Sequence, residues 1–596
     1  MKSVLTSGIV LILTGTLLLS GCTSAADSSA LGESFEAAGS SAATSVFPSN
    51  LSTTQKGNDA MISTESSLTA ASSVLSPTTT APKAEMYRIR SLTYPDSAVQ
   101  TLEQRNLTTE SFVQRTTGSG YDGQTHRAGT NLVVSPYYTA TADNLAVPVY
   151  ATPVYVATGN KGALHSFASI DVEFADHARV AIQLDVSSRI ACSSVQVFSA
   201  NGTTAAVHNN RITMNVTAHG VYTLVLNDSQ DTAFTLFVRE YADEEAEIAA
   251  YRRQYGEDKV LVYEPGLHPI DYLLLMKNDM VLYLKAGAIL LPKHTFDIRS
   301  DIQASTLSEG TASYCNALGL NRFPVVNGFQ SSNLRIAGRG TVDMTGMDWH
   351  ERRGIVFSLC NNVTIEGVIL VNPAEWALIT YRCSNVRISQ CAVLGYRTNS
   401  DAFAICNSVD VQVTDCFART GDDMFEVKTL GGPSDAVSRN ITYSRCQAWG
   451  SKARCFGIIG EIERDVSDVL FEDSTVIWRD AIWDNDRIGS LVVIREVGQG
   501  IVQDITFRNI QIHQDKGRAI NCVVYTPGLA GSRMNGILFE NIRYTAGMPS
   551  QCKLNSGSGN QMKVTLKNVT ANGEKVTSGN LHEIFLQDQN GLIAVE

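Results

Sequence analysis

One short pattern recurs nine times in the C-terminal half of this chain, and it limits the possible folds more than any other feature. It reads NLRIAGRGTVDM from Asn333, NVTIEGVILVN from Asn362, NVRISQCAVLG from Asn385 and DVQVTDCFART from Asp410. It continues as NITYSRCQAWG from Asn440, DVLFEDSTVIW from Asp468, DITFRNIQIHQ from Asp504, GILFENIRYTA from Gly536 and KVTLKNVTANG from Lys563. The spacings are 29, 23, 25, 30, 28, 36, 32 and 27 residues. A strand–turn–strand unit repeating at this variable period is one coil of a parallel β-helix, which buries its apolar face only by stacking on its neighbours. A propeller would need longer and more uniform repeats. Cys391, Cys416 and Cys446 each fall six residues after a motif start. Stacked in register at about 4.8 Å, they read as an internal ladder of small buried thiols.

The rest of the chain has other textures. From about 86 to 242, runs such as SIDVEFA, RVAIQLDV and RITMNVTA alternate with period two between Gly, Asn and Asp turns, the signal of a small antiparallel β-sandwich. No carboxylate or histidine cluster stands out there, so it reads as an accessory domain. A helical stretch at 243–258 links it to the β-helix at 259–596. The expected class is therefore all-β.

Residues 1–21 carry Lys2 and an apolar run ending in Leu19-Ser20-Gly21-Cys22. The run is too short for a spanning helix and reads as a signal segment. Its last four residues resemble the lipobox of bacterial lipoproteins, which implies cleavage before Cys22 and lipidation of its thiol. The membrane contact would be that anchor alone, on the extracellular face. Residues 22–85, rich in Ser, Thr and Ala without apolar periodicity, read as a disordered tether. The formal charge of −12 and pI near 5.4 argue against a nucleic-acid partner, which would bring a basic footprint.

Chemistry concentrates in two motifs, Thr398-Asn399-Ser400-Asp401 and Thr420-Gly421-Asp422-Asp423. Asp401 and Asp422 lie 21 residues apart, close to one coil, which places three carboxylates on the same side of adjacent coils. Such crowding raises at least one carboxyl pKa and yields a neutral acid beside ionised partners. Glycoside hydrolysis uses that division of labour. A calcium site, or aspartates capping turns, would use the same residue types. The spacings of His and Cys show no metal-like pattern, and no cofactor is required.

These residues carry a family resemblance. TNSDAF at 398–403 and TGDDMFEVKTLGG at 420–432 resemble the Asn-Thr-Asp and Gly-Asp-Asp motifs of polygalacturonase-like glycoside hydrolases, family 28. Asn372-Pro373-Ala374-Glu375-Trp376 resembles the segment before the first catalytic coil. The stretch ERDVSDVLFEDSTVI at 463–477 and the preceding sandwich are similar instead to family 49, the dextranase and isopullulanase group. The resemblance implies a right-handed parallel β-helix and an inverting hydrolase. It implies Asp422 as general acid, with Asp401 and Asp423 activating water across about 6.5–9.5 Å. Lys428, Asn399, Arg495 and Trp376 become substrate-binding candidates.

The chain departs from the family 28 pattern where a Gly-His-Gly is expected, reading Arg454-Cys455-Phe456-Gly457. The later Arg-Ile-Lys is reduced to Val493-Ile494-Arg495-Glu496, a poor clamp for a uronate. A neutral glycan or a modified uronic substrate fits better. The competing readings are a β-helix polysaccharide lyase and a non-catalytic glycan-binding surface lipoprotein.

Overall fold

The computed structural model describes residues 88–117, 129–156, 161–174, 178–293, 324–450, 452–483, 487–524, 531, 533–554 and 559–596. Cys22, the signal segment and the tether lie outside them. All described residues fall in one unit, Pro82–Glu596.

The sandwich spans Ile89–Ser91 to Phe234–Glu240 and packs a seven-stranded sheet on a five-stranded one. Alternation builds it. In Arg211–Val216 every second residue is buried, and Ile212, Met214 and Val216 join Leu184, Leu224 and Leu236 in its core. One pair departs from the antiparallel expectation, because Lys161–Val172 runs parallel to Phe234–Glu240. The intervening chain crosses to the other sheet and returns, which lets the two strands enter from the same end. A helix, Glu244–Tyr255, then leads into the coils; Asp243 caps it by accepting from the Ala246 N–H, and Gly256 ends it at φ 103°.

From Val260 onward the described residues wind into a parallel β-helix of three sheets, with 12, 12 and 11 strands among those residues, successive coils pairing in order. The turn chemistry explains the repeat. Asn333, Asn362, Asn385, Asp410, Asn440, Asp468 and Asp504 all adopt positive φ between 52° and 59°, and Gly536 takes 64°. These are the first residues of eight of the nine motifs. Only Gly, Asn and Asp reach that left-handed region at low cost. The side chains also bond coil to coil: Asn362 Nδ2 donates to Asn333 Oδ1 at 2.7 Å and Asn385 Nδ2 to Asn362 Oδ1 at 3.1 Å. A second column links Asn568, Asn541, Asn509 and Asp473 at 2.8–2.9 Å.

Inside, like stacks on like. Phe403, Phe425 and Phe456 lie nearly parallel with centroids 5.1 and 4.8 Å apart, and Phe471, Phe507 and Phe539 repeat this at 4.8 Å. Cys391, Cys416 and Cys446 are buried in the same core, and all ten described cysteines are free buried thiols.

The seven-stranded sheet of the sandwich packs on the outer face of the second β-helix sheet, where Phe167 and Phe237 share a cluster with Phe417, Trp449 and Ile477. Buried polar groups cross the seam as well. Gln447 donates to the Phe198 and Val221 carbonyls at 3.0 and 2.9 Å, and Arg419 reaches His165 Nδ1 at 2.9 Å.

Replacing Asn362 tests the ladder. Asn362→Ala loses the left-handed preference and two side-chain bonds and should cost about 2 kcal/mol, whereas Asn362→Gly should cost roughly half as much. Denaturant unfolding of both variants checks this order.

Candidate active site

Register alone assembles the site. In the eleven-stranded sheet, Ile355, Leu378, Phe403, Phe425, Phe456 and Leu491 pair in succession. Counting two residues back from each gives Arg353, Trp376, Asp401, Asp423, Arg454 and Gly489. These positions form one column across the mouths of six coils, its two carboxylates flanked by an indole and a guanidinium. Asp422 precedes Asp423. The Ala402 N–H donates to the Asp423 carbonyl at 2.8 Å, tying the two acid-bearing coils together.

The turns fix each carboxyl. Asn399 adopts φ 58°, and its N–H donates to Asp422 Oδ2 at 2.8 Å. The Asp423 N–H donates to Asp422 Oδ1 at 3.0 Å. The Ser400 hydroxyl donates to the Arg397 carbonyl at 2.6 Å and accepts from the Gly421 N–H at 3.1 Å. Gly421 leaves room there, since a Cβ would stand 2.1 Å from the Arg397 carbonyl oxygen. Asp423 accepts from the Arg454 N–H at 3.0 Å and pairs with its guanidinium at 2.9 Å. The other end of that guanidinium holds Glu496 at 2.6 Å.

Lys428 supplies the second cation. Its ammonium lies 3.0 Å from Glu426, 3.5 Å from Asp401 and 3.6 Å from Glu461, and 4.3 Å from the Trp376 ring centroid. Asp401, Asp422, Asp423, Glu426 and Lys428 are all buried. Burial is the first influence on the carboxyls of Asp401, Asp422 and Glu426. Burial, and next the charge of Asp423, lifts the Asp422 carboxyl to about 6 against the pull of the Asn399 N–H. Burial, then Glu426 and Asp422, drives Asp401 well above the usual carboxylate range, with Lys428 opposing. Burial lifts Glu426 to about 8. For Arg454 burial opposes the charge, but Asp423 and Glu496 more than offset it.

Of the residues singled out in the sequence, the fold brings together Asp401, Asp422, Asp423, Lys428 and Trp376. Asn399 joins them through its main chain, while its Oδ1 pairs with His350 Nε2 at 2.7 Å. Arg495 is not among them. It continues the inward register of Leu491 and Val493, and its guanidinium bonds the Gly498 carbonyl, so it closes a turn instead of meeting a sugar near Asp422. Arg454, one coil on from Asp423, supplies the cation at the carboxylates. Glu426 was the residue missed; strand alternation, which puts residues 426 and 428 on one face, was the signal that could have found it.

The sandwich reaches the site too. Lys452 donates to the Thr398 hydroxyl, beside Asn399, and its ammonium lies 5.2 Å from the Tyr155 ring and 5.3 Å from the Trp483 ring. Tyr155 belongs to the sandwich strand Tyr150–Val156. That domain therefore supports the turn that holds Asp422.

Residues 285–584, half of the chain, match the model of glycosyl hydrolases family 28. The chain belongs to that family. It is 24% identical over 246 residues to a probable polygalacturonase of Arabidopsis thaliana, covering 38% of this chain and 52% of that protein. An exopolygalacturonase of Zea mays is 23% identical over 248 residues, covering 37% and 57%. The chain thus spans about half the length of the curated relatives it matches. Among solved structures, Dex49A from Penicillium minioluteum superposes with a TM-score of 0.54 at 13% identity over 80% of this chain and 96% of that one, a likeness of fold that includes far more than the coils.

A raised carboxyl pKa carries a stability consequence with a definite sign. An acid lifted on folding costs nothing below the unfolded value near 4, then destabilises increasingly as pH rises to its folded value. Asp422→Asn removes that cost. Its thermal midpoint relative to the wild type should rise by a few degrees between pH 4 and pH 8, which calorimetry at the two pH values measures.

Proposed function

We propose that this family 28 member is an inverting glycoside hydrolase acting on an extracellular, neutral poly- or oligosaccharide. The observation that carries the reading is the division among the stacked carboxyls. Asp422, lifted to about 6, keeps a proton in mildly acid solution, and Asp423 is bound to a guanidinium. A proton donor and a water-activating carboxylate, both held by backbone donors, are what inverting hydrolysis uses. Asp422 gives its proton to the glycosidic oxygen as that bond to the anomeric carbon breaks. Water attacks the opposite face and loses its proton to the Asp401–Asp423 pair.

Charge matching supports a neutral sugar. Lys428 faces Glu426, Asp401 and Glu461; Arg454 faces Asp423 and Glu496; Arg487 faces Glu496; Arg353 faces Glu375. Each of these cations already faces an acid of the protein, so a uronate carboxylate would have to compete with those acids for it. Trp376, half-buried, has the Lys428 ammonium and the Arg353 guanidinium over its ring at 4.3 and 4.5 Å, and so holds both cations beside the carboxyls.

A panel of dextran, pullulan, polygalacturonate and plant-derived oligosaccharides tests the reading. Reducing sugar should form from a neutral glycan with inverted anomeric configuration by NMR. Asp422→Asn should lower turnover by about 10²–10⁴-fold with binding retained. The rate should fall as pH rises through about 6, where Asp422 loses its proton. An unsaturated, ultraviolet-absorbing product would instead mark a lyase, and cleavage of polygalacturonate alone would overturn the neutral substrate. Lipid anchoring through Cys22 belongs to the same reading: labelled palmitate should enter the protein made in bacteria and should not enter Cys22→Ser.

A further inference from the structure

Glu426 has no part in the acid–base scheme above, yet it is the most deeply buried acid on the floor of the site. Its side chain is fully buried, and neither of its carboxylate oxygens accepts a well-formed hydrogen bond. Asp401 Oδ1, also buried, has no hydrogen-bond partner either. On the neighbouring strands the register partners of Glu426 are Ala404 and Gly457, so no side chain larger than a methyl separates it from the adjacent coils. A Cβ at Gly457 would lie 2.1 Å from the Val492 carbonyl oxygen, so the fold holds that gap open.

One oxygen each from Asp401, Asp423 and Glu426 lie within 4.8 Å of one another. For any such triangle a point exists within 4.8/√3, about 2.8 Å, of all three corners, the donor–acceptor distance of a water hydrogen bond. A divalent cation would also be drawn to three carboxylates. Here, however, the Lys428 ammonium stands 3.0 Å from Glu426 and 3.5 Å from Asp401, and Arg454 holds Asp423, so two cations already line the triangle.

We propose that Glu426 is a third catalytic carboxyl: in its neutral form it holds the attacking water together with Asp401 and Asp423. This rests on the hydrolase reading and adds a residue to it. The groups facing Glu426 are Lys428 on its own strand, Asp423 just before that strand, Asp401 and Cys406 from the preceding coil and Glu461 from the next. With three acids and one ammonium so close, a proton on Glu426 relieves the repulsion, and the lift of its carboxyl to about 8 agrees. In turnover the water O–H bond breaks and its proton passes to the Asp401–Asp423 pair. The oxygen bonds the anomeric carbon, the glycosidic bond breaks, and the Asp422 proton goes to the leaving oxygen. Glu426 keeps its proton throughout and orients the water.

Two substitutions and three measurements test this. Glu426→Ala should lower kcat about 30-fold with KM within twofold, and Glu426→Gln, which keeps the shape and neutrality, should recover to within about fivefold of the wild type. Infrared spectra of the wild type at pH 7 should show protonated-carboxyl absorption that is weaker in Glu426→Gln. The infrared result stands even if no glycan in the panel is cleaved, so it separates this proposal from the substrate reading. Three outcomes would overturn the proposal: an Ala variant with wild-type kcat, a Gln variant as impaired as the Ala variant, or an unchanged band. Calorimetric titration with Ca²⁺ alone completes the test. Saturable binding abolished by Glu426→Gln would make the triangle a cation site instead, and no binding is expected.

Discussion

Everything in this molecule depends on coils stacking without slipping. Parallel backbone ladders fix the spacing near 4.8 Å but are nearly indifferent to which coil residues meet, since a strand can slide two residues and still alternate correctly. The left-handed asparagines and aspartates remove that freedom. Eight of the nine motifs start on Asn, Asp or Gly at positive φ, and several of the side chains placed there bond along the column. Stacked phenylalanines inside and amide columns at the corners therefore specify one register between them. A slip would break both at once.

The site inherits its precision from that register. Arg353, Trp376, Asp401, Asp423 and Arg454 occupy the same position on consecutive coils, so their spacing is the coil spacing and needs no separate device. Burying several acids there is unfavourable, because like charges repel and burial strips their water. The protein offsets the cost with Lys428, Arg454 and main-chain donors, and leaves part of it in the form of raised carboxyl pKa values. The sandwich contributes from the side, where Tyr155 and Lys452 back the turn at Thr398.

Legibility in the sequence followed how local each cause was. The repeat, the cysteine column and the Asp401/Asp422/Asp423 group could be read because they rest on alternation, turn chemistry and a spacing of one coil. Arg495 was misplaced because its motif suggested a cleft, whereas an inward register at the end of a strand sent its guanidinium to the Gly498 carbonyl. Arg454 showed in the sequence only as part of a departure from the family 28 pattern, and its pairing with Asp423 depends on a coil offset of 31 residues. Glu426 went unread because nothing in the chain shows that its neighbours on both sides are as small as Ala404 and Gly457.

What the sequence alone determined is the class of object: a stack of coils with acids at one edge, preceded by an alternating β domain. Those properties come from local alternation and turn chemistry and from their recurrence at about one coil's spacing, which a linear chain displays. The tertiary structure decided which charges meet, which of them lose water and how far the sandwich reaches. Those depend on coil lengths that vary from 23 to 36 residues and on a seam between elements more than 200 residues apart. Distance in space, and not order in the chain, sets a carboxyl's proton affinity, so the chemistry was settled only when the coils were stacked.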